Sequence, residues 1–145
     1  MGKIMEPNVK EKYRFEPYTY ELAFAAIAAA GGQQSNSFQV EANSDFILHK
    51  LSYMADVAVA AQTDSTRIVP LATVLLTNSG TARQMMNAAV PIPSLFGTGQ
   101  LPFILPASFL LKGNTTFTAQ VTSYVVAGTV YNIRLSFHGV KRYAL

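Results

Sequence analysis

The sequence predicts an all-β sandwich of eight antiparallel strands preceded by an extended N-terminal arm. Three observations lead there. Apolar residues recur with a period of two in several runs, the spacing of half-buried strands. Clusters of Gly, Pro, Asn, Asp and Ser interrupt these runs roughly every 8–15 residues, as turns between short strands do. The chain has 145 residues, half of them apolar, enough to bury one core without disulfides or metals.

Residues 1–17 read as an arm. Charges of both signs alternate with isolated apolar residues, and Pro7 and Pro17 interrupt regular structure. Two readings stand side by side: a frayed terminus, or a tether that orders on a neighbour and buries Tyr13 and Phe15, since disordered tails are poor in aromatics. The sandwich is expected over residues 18–145. Tyr18, Tyr20, Leu22 and Phe24 alternate with Thr19, Glu21 and Ala23, which makes a strand. The alanine run at 25–30 suits a strand or a short helix ending at Gly31-Gly32.

Residues 31–36 read as a polar turn and 37–41 as a short strand with Phe38 and Val40 on one face. A long strand is expected over 45–59. Its apolar set changes face midway, which predicts a bulge or bend. Residues 64–66 form a loop. Residues 69–78 are apolar on both parities and predict a strand covered on both sides or lying at an interface. A short strand follows at 83–90.

The stretch 91–106 holds Pro91, Pro93, Pro102 and Pro106 among Leu95, Phe96, Leu101, Phe103 and Ile104. Proline excludes a central strand, yet the segment is too apolar to be simply solvated. It is expected to pack on the sandwich or on another subunit. Phe109 opens a strand. Two clear strands follow: Thr115, Phe117, Ala119 and Val121 face inward on one, and Tyr131, Ile133, Leu135 and Phe137 on the other. Residues 127–128 join them, and 140–143 form a closing β segment. Eight antiparallel strands folded as two Greek keys make a jelly roll.

Only 13% of residues are charged, against about 25% in ordinary soluble domains. So neutral an exterior suits a chain much of whose surface is covered by partners. All eight acidic residues lie within the first 64, which carry a net −3, while the remainder carries +6. The six later basic residues are scattered singly, which reads as solvated strand faces, not a nucleic-acid groove. There is no cysteine, so disulfides, thiolate metal sites and cysteine nucleophiles are excluded. The N-terminus is too polar for a signal peptide, and the nine-residue apolar run from Leu22 is too short to span a membrane. The expectation is a protein soluble in the cytoplasm when made.

Little in the sequence points to catalysis. Asp45, His49 and Asp56 are the nearest approach to an acid–base group, but Asp56 has the opposite strand parity. His138 lies on a polar strand face. No serine has a G-x-S-x-G context and no phosphate-binding glycine string occurs. A jelly-roll metal enzyme would need clustered His and Glu, and the last two strands supply only His138. The expectation is no enzyme, no cofactor and no metal. A carbohydrate-binding module remains an alternative, since such a site needs only aromatic and polar surface residues.

Three stretches resemble the jelly-roll cement, or head decoration, proteins of short-tailed double-stranded DNA bacteriophages: DFILHKLSYMAD at 45–56, VPIPSLFGTGQLPFILP at 90–106 and YNIRLSFHGVK at 131–141. The resemblance implies a protein on the outer surface of the virion capsid, made in the host cytoplasm. It implies bridging of major capsid protein subunits and resistance to internal DNA pressure. The implied partners are the major capsid protein and further copies of the chain, as a homodimer or trimer, with neither nucleic acid nor membrane. Tyr13, Phe15, Leu95, Phe96, Leu101 and Phe103 are the candidate intersubunit contacts. Another virion β module, of tail, collar or fibre, is the alternative within the same class.

Overall fold

The computed structural model of the chain describes residues 13–28, 31–58, 68–79, 81–124 and 130–144. Among the described residues there are nine strand segments: β1 (Tyr13–Ile27), β2 (Gln33–Gln39), β3 (Ser44–Val57), β4 (Ala72–Asn78), β5 (Arg83–Gln84), β6 (Val90–Pro91), β7 (Phe103–Leu111), β8 (Thr116–Ser123) and β9 (Tyr131–Ala144). A short helix, α1 (Ile92–Leu95), lies between β6 and β7.

Sheet I has the order β1-β9-β3-β7 and sheet II the order β2-β8-β4-β5, with β6 also on β4. All pairings between named strands are antiparallel. β5 pairs at Thr77 and Asn78 and β6 at Thr73 and Val74. These two segments share one strand position, so nine segments fill eight positions. The chain crosses between the sheets so that, β4 with β5 and β6 apart, neighbours within each are distant in sequence, which is the jelly-roll order.

The core lies between the sheets. Tyr20, Leu22 and Phe24 of β1 face it, as do Tyr131, Ile133, Leu135 and Phe137 of β9. From sheet II come Phe38, Val74, Leu76, Phe117, Ala119 and Val121. The alternation read in β8 and β9 is thus the observed inward set. Aromatic rings fill the middle: Tyr20 stacks on Phe38 at 4.1 Å, and Phe137 meets Phe38, Phe96 and Phe117 at 5.4–5.7 Å.

The face change in β3 is a bulge. Leu48 pairs with Gly139 and Lys50 with His138, so His49 is the extra residue. Phe46 and Leu48 point inward before it, Leu51 and Ala55 after it. A bulge inserts one residue and so inverts the parity of everything beyond it. The alanine run resolves as strand: β1 continues to Ile27 through an irregularity after Phe24, with Ala26 at φ 52. The Asn132 side chain accepts the Ala26 N–H at 2.9 Å, which satisfies the distorted backbone.

Several boundaries differ from expectation. β1 begins at Tyr13 and pairs with β9 from Ala144 onward, so residues 13–17 belong to sheet I. Residues 1–12 lie outside the described residues, as do the expected loop at 64–66 and turn at 127–128. Pro17 is tolerated because β1 is an edge strand. The polar stretch from Gln33 is not a turn but the start of β2. β4 begins only at Ala72, and Val69 and Leu71 are exposed. Its core contact is on one face, through Ala72, Val74 and Leu76. The expected strand at 83–90 splits into β5 and β6.

The proline-rich stretch is not one loop. Pro91 and Pro93 flank the start of α1, where missing amides cost nothing. β7 starts at Phe103 and contains Pro106. It is the other edge of sheet I. Leu48 pairs with Phe109 but Lys50 with Ile104, so Pro106 sits in a wide bulge. Residues 131–144, expected as a strand and a separate closing segment, form one continuous strand, β9.

Candidate functional site

The outward face of sheet I brings side chains from four strands together. Strand register places its residues in rows. Pro17 pairs with Val140, Val140 with Ile47, and Ile47 with Leu110. This row is apolar across all four strands. Its members have the parity opposite to the buried Phe46, Leu48, Leu111 and Phe137, so they point away from the core. Leu110 is 39% exposed and the nearby Phe15 56%.

On one side of the apolar row lies the row Phe15, Arg142 and Asp45. Arg142 donates to Asp45 at 2.8 Å and its guanidinium lies 4.7 Å from the Tyr13 ring centre. The Gly113 N–H also donates to Asp45. Burial opposes the Asp45 charge, but these donors outweigh it and hold the carboxyl below its ordinary value.

On the other side lies the row Thr19, His138, Lys50 and Ile104. His138 Nε2 is 2.7 Å from Ser52 Oγ and Nδ1 is 3.2 Å from Thr19 Oγ1, so one ring ties β3 to β1 across β9. Burial, and then the Lys50 charge, lower the His138 pKa. Ser52 and His138 have the spacing of a nucleophile and base. The orienting position is held by a threonine hydroxyl and not by a carboxylate, so the pair lacks the group that would stabilise an imidazolium.

Beyond this row the face hollows into a groove of about 700 Å³. Ser52, Met54, Arg134 and Ser136 line its floor, with Val69 and Gln100 at its sides. Glu21 and Arg134 pair across it at 2.5 Å. Its charges are therefore neutralised within the chain, leaving a mixed polar and apolar surface.

A second cluster closes one end of the sandwich. Lys141 is 4% exposed, donates to Glu41 and lies 3.9 Å from the Tyr18 ring centre. Tyr20 also donates to Glu41. The Lys141 hydrogen bond holds the Glu41 carboxyl down. Burial chiefly pushes the Tyr20 phenol up to about 12. For Lys141 burial works against the charge, but the Glu41 bond and the surrounding groups raise its pKa overall.

These shifts set both ends of the stability profile. Glu41 and Asp45 are depressed, so their contribution is present above the ordinary values of 4.5 and 3.8 and fades as pH falls through the depressed values. Tyr20 and Lys141 are raised, so theirs is present below 10.0 and 10.5 and fades as pH rises beyond them. Melting midpoints measured against pH should form a plateau that declines at both ends. Glu41→Gln should flatten the acid limb, and an unchanged limb would show that Glu41 is not coupled to folding.

The structure sorts the sequence-predicted contact residues. Tyr13 and Phe15 are exposed on β1, and Leu101 is 80% exposed. Leu95 and Phe103 are half-buried against the core. Phe96 is 1% exposed and touches Phe137, so it is a core residue and not an intersubunit contact. The reason is local: Gly97 bonds both Leu51 and Tyr53 along the β3 edge, which turns the preceding ring inward.

Asp45, His49 and Asp56 are not brought together. The two aspartates lie at opposite ends of β3, about 36 Å apart at the usual rise per residue. Among the described residues no group of three His, Cys, Asp or Glu is placed to hold a metal ion. The Ser52–His138 contact and the apolar row were missed in the sequence, because both depend on which strands pair.

No family model matches the chain, and no curated protein matches it. Solved structures give distant likenesses. The core of Drosophila NLP, described for its pentamer formation and histone binding, matches at TM-score 0.34 and 11% identity, over 85% of this chain and 96% of that one. The VP2 subviral particle of infectious bursal disease virus matches at TM-score 0.37 and 10% identity, over 92% of this chain. The Gx strain of the same virus matches at TM-score 0.28 and 11% identity, again over 92%. This chain spans 37% of the length of each viral chain.

Proposed function

We propose that this chain is a virion structural protein of the capsid decoration type. It binds the outside of the head, bridges major capsid protein subunits and stabilises the shell against internal DNA pressure. The observation that carries this reading joins sequence to fold. The three stretches that resemble phage cement proteins, distant along the chain, form one spatial unit. Residues 45–56 and 131–141 lie in the adjacent strands β3 and β9. Within 90–106, Gly97 bonds the β3 edge through Leu51 and Tyr53. The likeness thus falls mainly on sheet I and the segment laid against it, and reaches sheet II only through β6.

The character of the exposed residues supports protein as the partner. Leu101, Val69 and Met54 are 80%, 68% and 44% exposed. Met54 and Val69 line the groove, and Leu101 follows its Gln100 wall. Three of the six basic residues beyond Asp64, namely Arg134, Lys141 and Arg142, are held in ion pairs within the chain. They are therefore poorly available to nucleic acid.

A density map of the particle should place the chain outside the shell, in contact with several capsid subunits and in hundreds of copies. A position in the tail or collar would refute the cement role. Leu101→Glu should leave the melting midpoint unchanged, since the side chain is solvated, but lower occupancy on particles in a pull-down. Full occupancy would remove Leu101 from the shell contact.

A further inference from the structure

We infer that two copies of this chain pack face to face through the apolar row of sheet I, about a two-fold axis running along that row. That such a protein self-associates is what the resemblance implies. Which surface does so, and in what geometry, comes from the register, and it holds whether or not the chain decorates a capsid.

Edge pairing between copies through sheet I is disfavoured. The free edge of β1 carries Pro17, and its Ala23 and Ala25 carbonyls accept bonds from the Asn36 and Gln34 side chains of β2. The free edge of β7 is broken by the bulge at Pro106. Blunted edges are how sheets avoid adding strands. The open face of sheet I has no such protection.

Face-to-face packing of two identical surfaces requires the two-fold axis to lie in the contact plane. Set along the row, that axis puts Pro17, Val140, Ile47 and Leu110 each against its own counterpart. The flanking rows then exchange. Phe15, Arg142 and Asp45 of one copy meet Thr19, His138 and Lys50 of the other. Each Asp45 faces a Lys50, and the pair occurs twice. Arg142 faces a histidine whose surroundings favour the neutral form, so no like charges are forced together. Charge complementarity of this kind fixes register and orientation.

The three rows span five residues on β1. Four strands roughly 4.8 Å apart and five residues at about 3.4 Å each give a patch of roughly 330 Å² per copy. The total of roughly 650 Å² is that of a weak, reversible contact, so the dimer should exchange with monomer. The centre of the patch is apolar and its flanks polar, the usual anatomy of an interface. The groove lies farther along the strands and stays open in this arrangement.

Sedimentation of the full chain across a range of concentrations should show a monomer–dimer equilibrium. Leu110→Asp, checked for retained fold by circular dichroism, should be monomeric throughout. The absence of cysteine gives a second test. A residue on the two-fold axis meets itself, so Ile47→Cys should form a disulfide-linked dimer on mild oxidation, while Leu101→Cys should not. Three results would each overturn the proposal: a monomer at every concentration, a dimer that survives in folded Leu110→Asp, or Leu101→Cys linking as readily as Ile47→Cys. Loss of particle binding by Leu110→Asp with no dimer in the parent chain would instead assign this face to the shell.

Discussion

Gly139→Ala should be among the most damaging single substitutions in this protein, lowering the melting midpoint by about 6–12 °C. β9 is bonded on one side to β1 and on the other to β3, so it holds sheet I together. The His49 bulge arches β3 over this point. A Cβ built on Gly139 runs into the Ile47 carbonyl oxygen, and the tip of the Phe46 ring is 3.0 Å away. Neither neighbour can retreat cheaply. Ile47 is paired on both sides, with Val140 and Leu110, and Phe46 is fully buried. Overpacking against side chains costs about 1–3 kcal/mol. Because the obstacle here is ladder backbone, the cost belongs at the top of that range or above it. Gly99 is the control, since a Cβ there meets nothing within 4 Å. Gly99→Ala should melt with the parent in a circular dichroism scan. If Gly139→Ala does too, the close approach of β3 and β9 is not a constraint.

Legibility of the fold followed how strictly each segment alternates. β8 over Phe117, Ala119 and Val121 and β9 over Tyr131, Ile133, Leu135 and Phe137 have unbroken apolar parities, and those inward sets could be read directly. The bulge in β3 was legible because inserting His49 leaves a visible phase change between Leu48 and Leu51. β2 was half hidden because only Phe38 within it is buried. A strand that contributes one residue to the core carries almost no period-two signal, and Gln33 to Asn36 then look like a turn. β7 was obscured by Pro106, which would argue against a central strand but sits at a bulged edge. Neither edge status nor bulge is written in local sequence.

The candidate surface was harder to read for the same reason. The apolar row takes one residue from each of four strands, and Pro17 and Leu110 are 93 positions apart in the chain. Only the order β1-β9-β3-β7 makes them neighbours. Val140 and Ile47 alone gave a clue, as apolar residues on the parity opposite to the core. Phe96 shows the opposite error. Apolar content in a proline-rich segment suggested an exterior anchor, but the Gly97 bonds to β3 turn that ring into the sandwich. Composition says that such a segment must be covered, not by what.

Phe137→Ala should cost about 3–5 kcal/mol, the range for deleting a fully buried aromatic, and lower the melting midpoint by roughly 10–15 °C. Phe137 contacts Phe38 and Phe117 of sheet II and Phe96 of the segment after α1. Its removal opens a cavity between the sheets whose lining rings come from three separate elements, so no single shift closes it. The side chain sits in β9 one residue before His138, which faces outward. The two positions therefore separate core from surface on a single strand. Phe15→Ala provides the matching outward test, since that ring is 56% exposed and rests on strand pairing rather than on the core. Its melting midpoint should stay near that of the parent, while dimerisation weakens if the open face of sheet I is the contact. A large loss of stability in Phe15→Ala, or none in Phe137→Ala, would mean that the division between the buried and the docking face of sheet I is drawn in the wrong place.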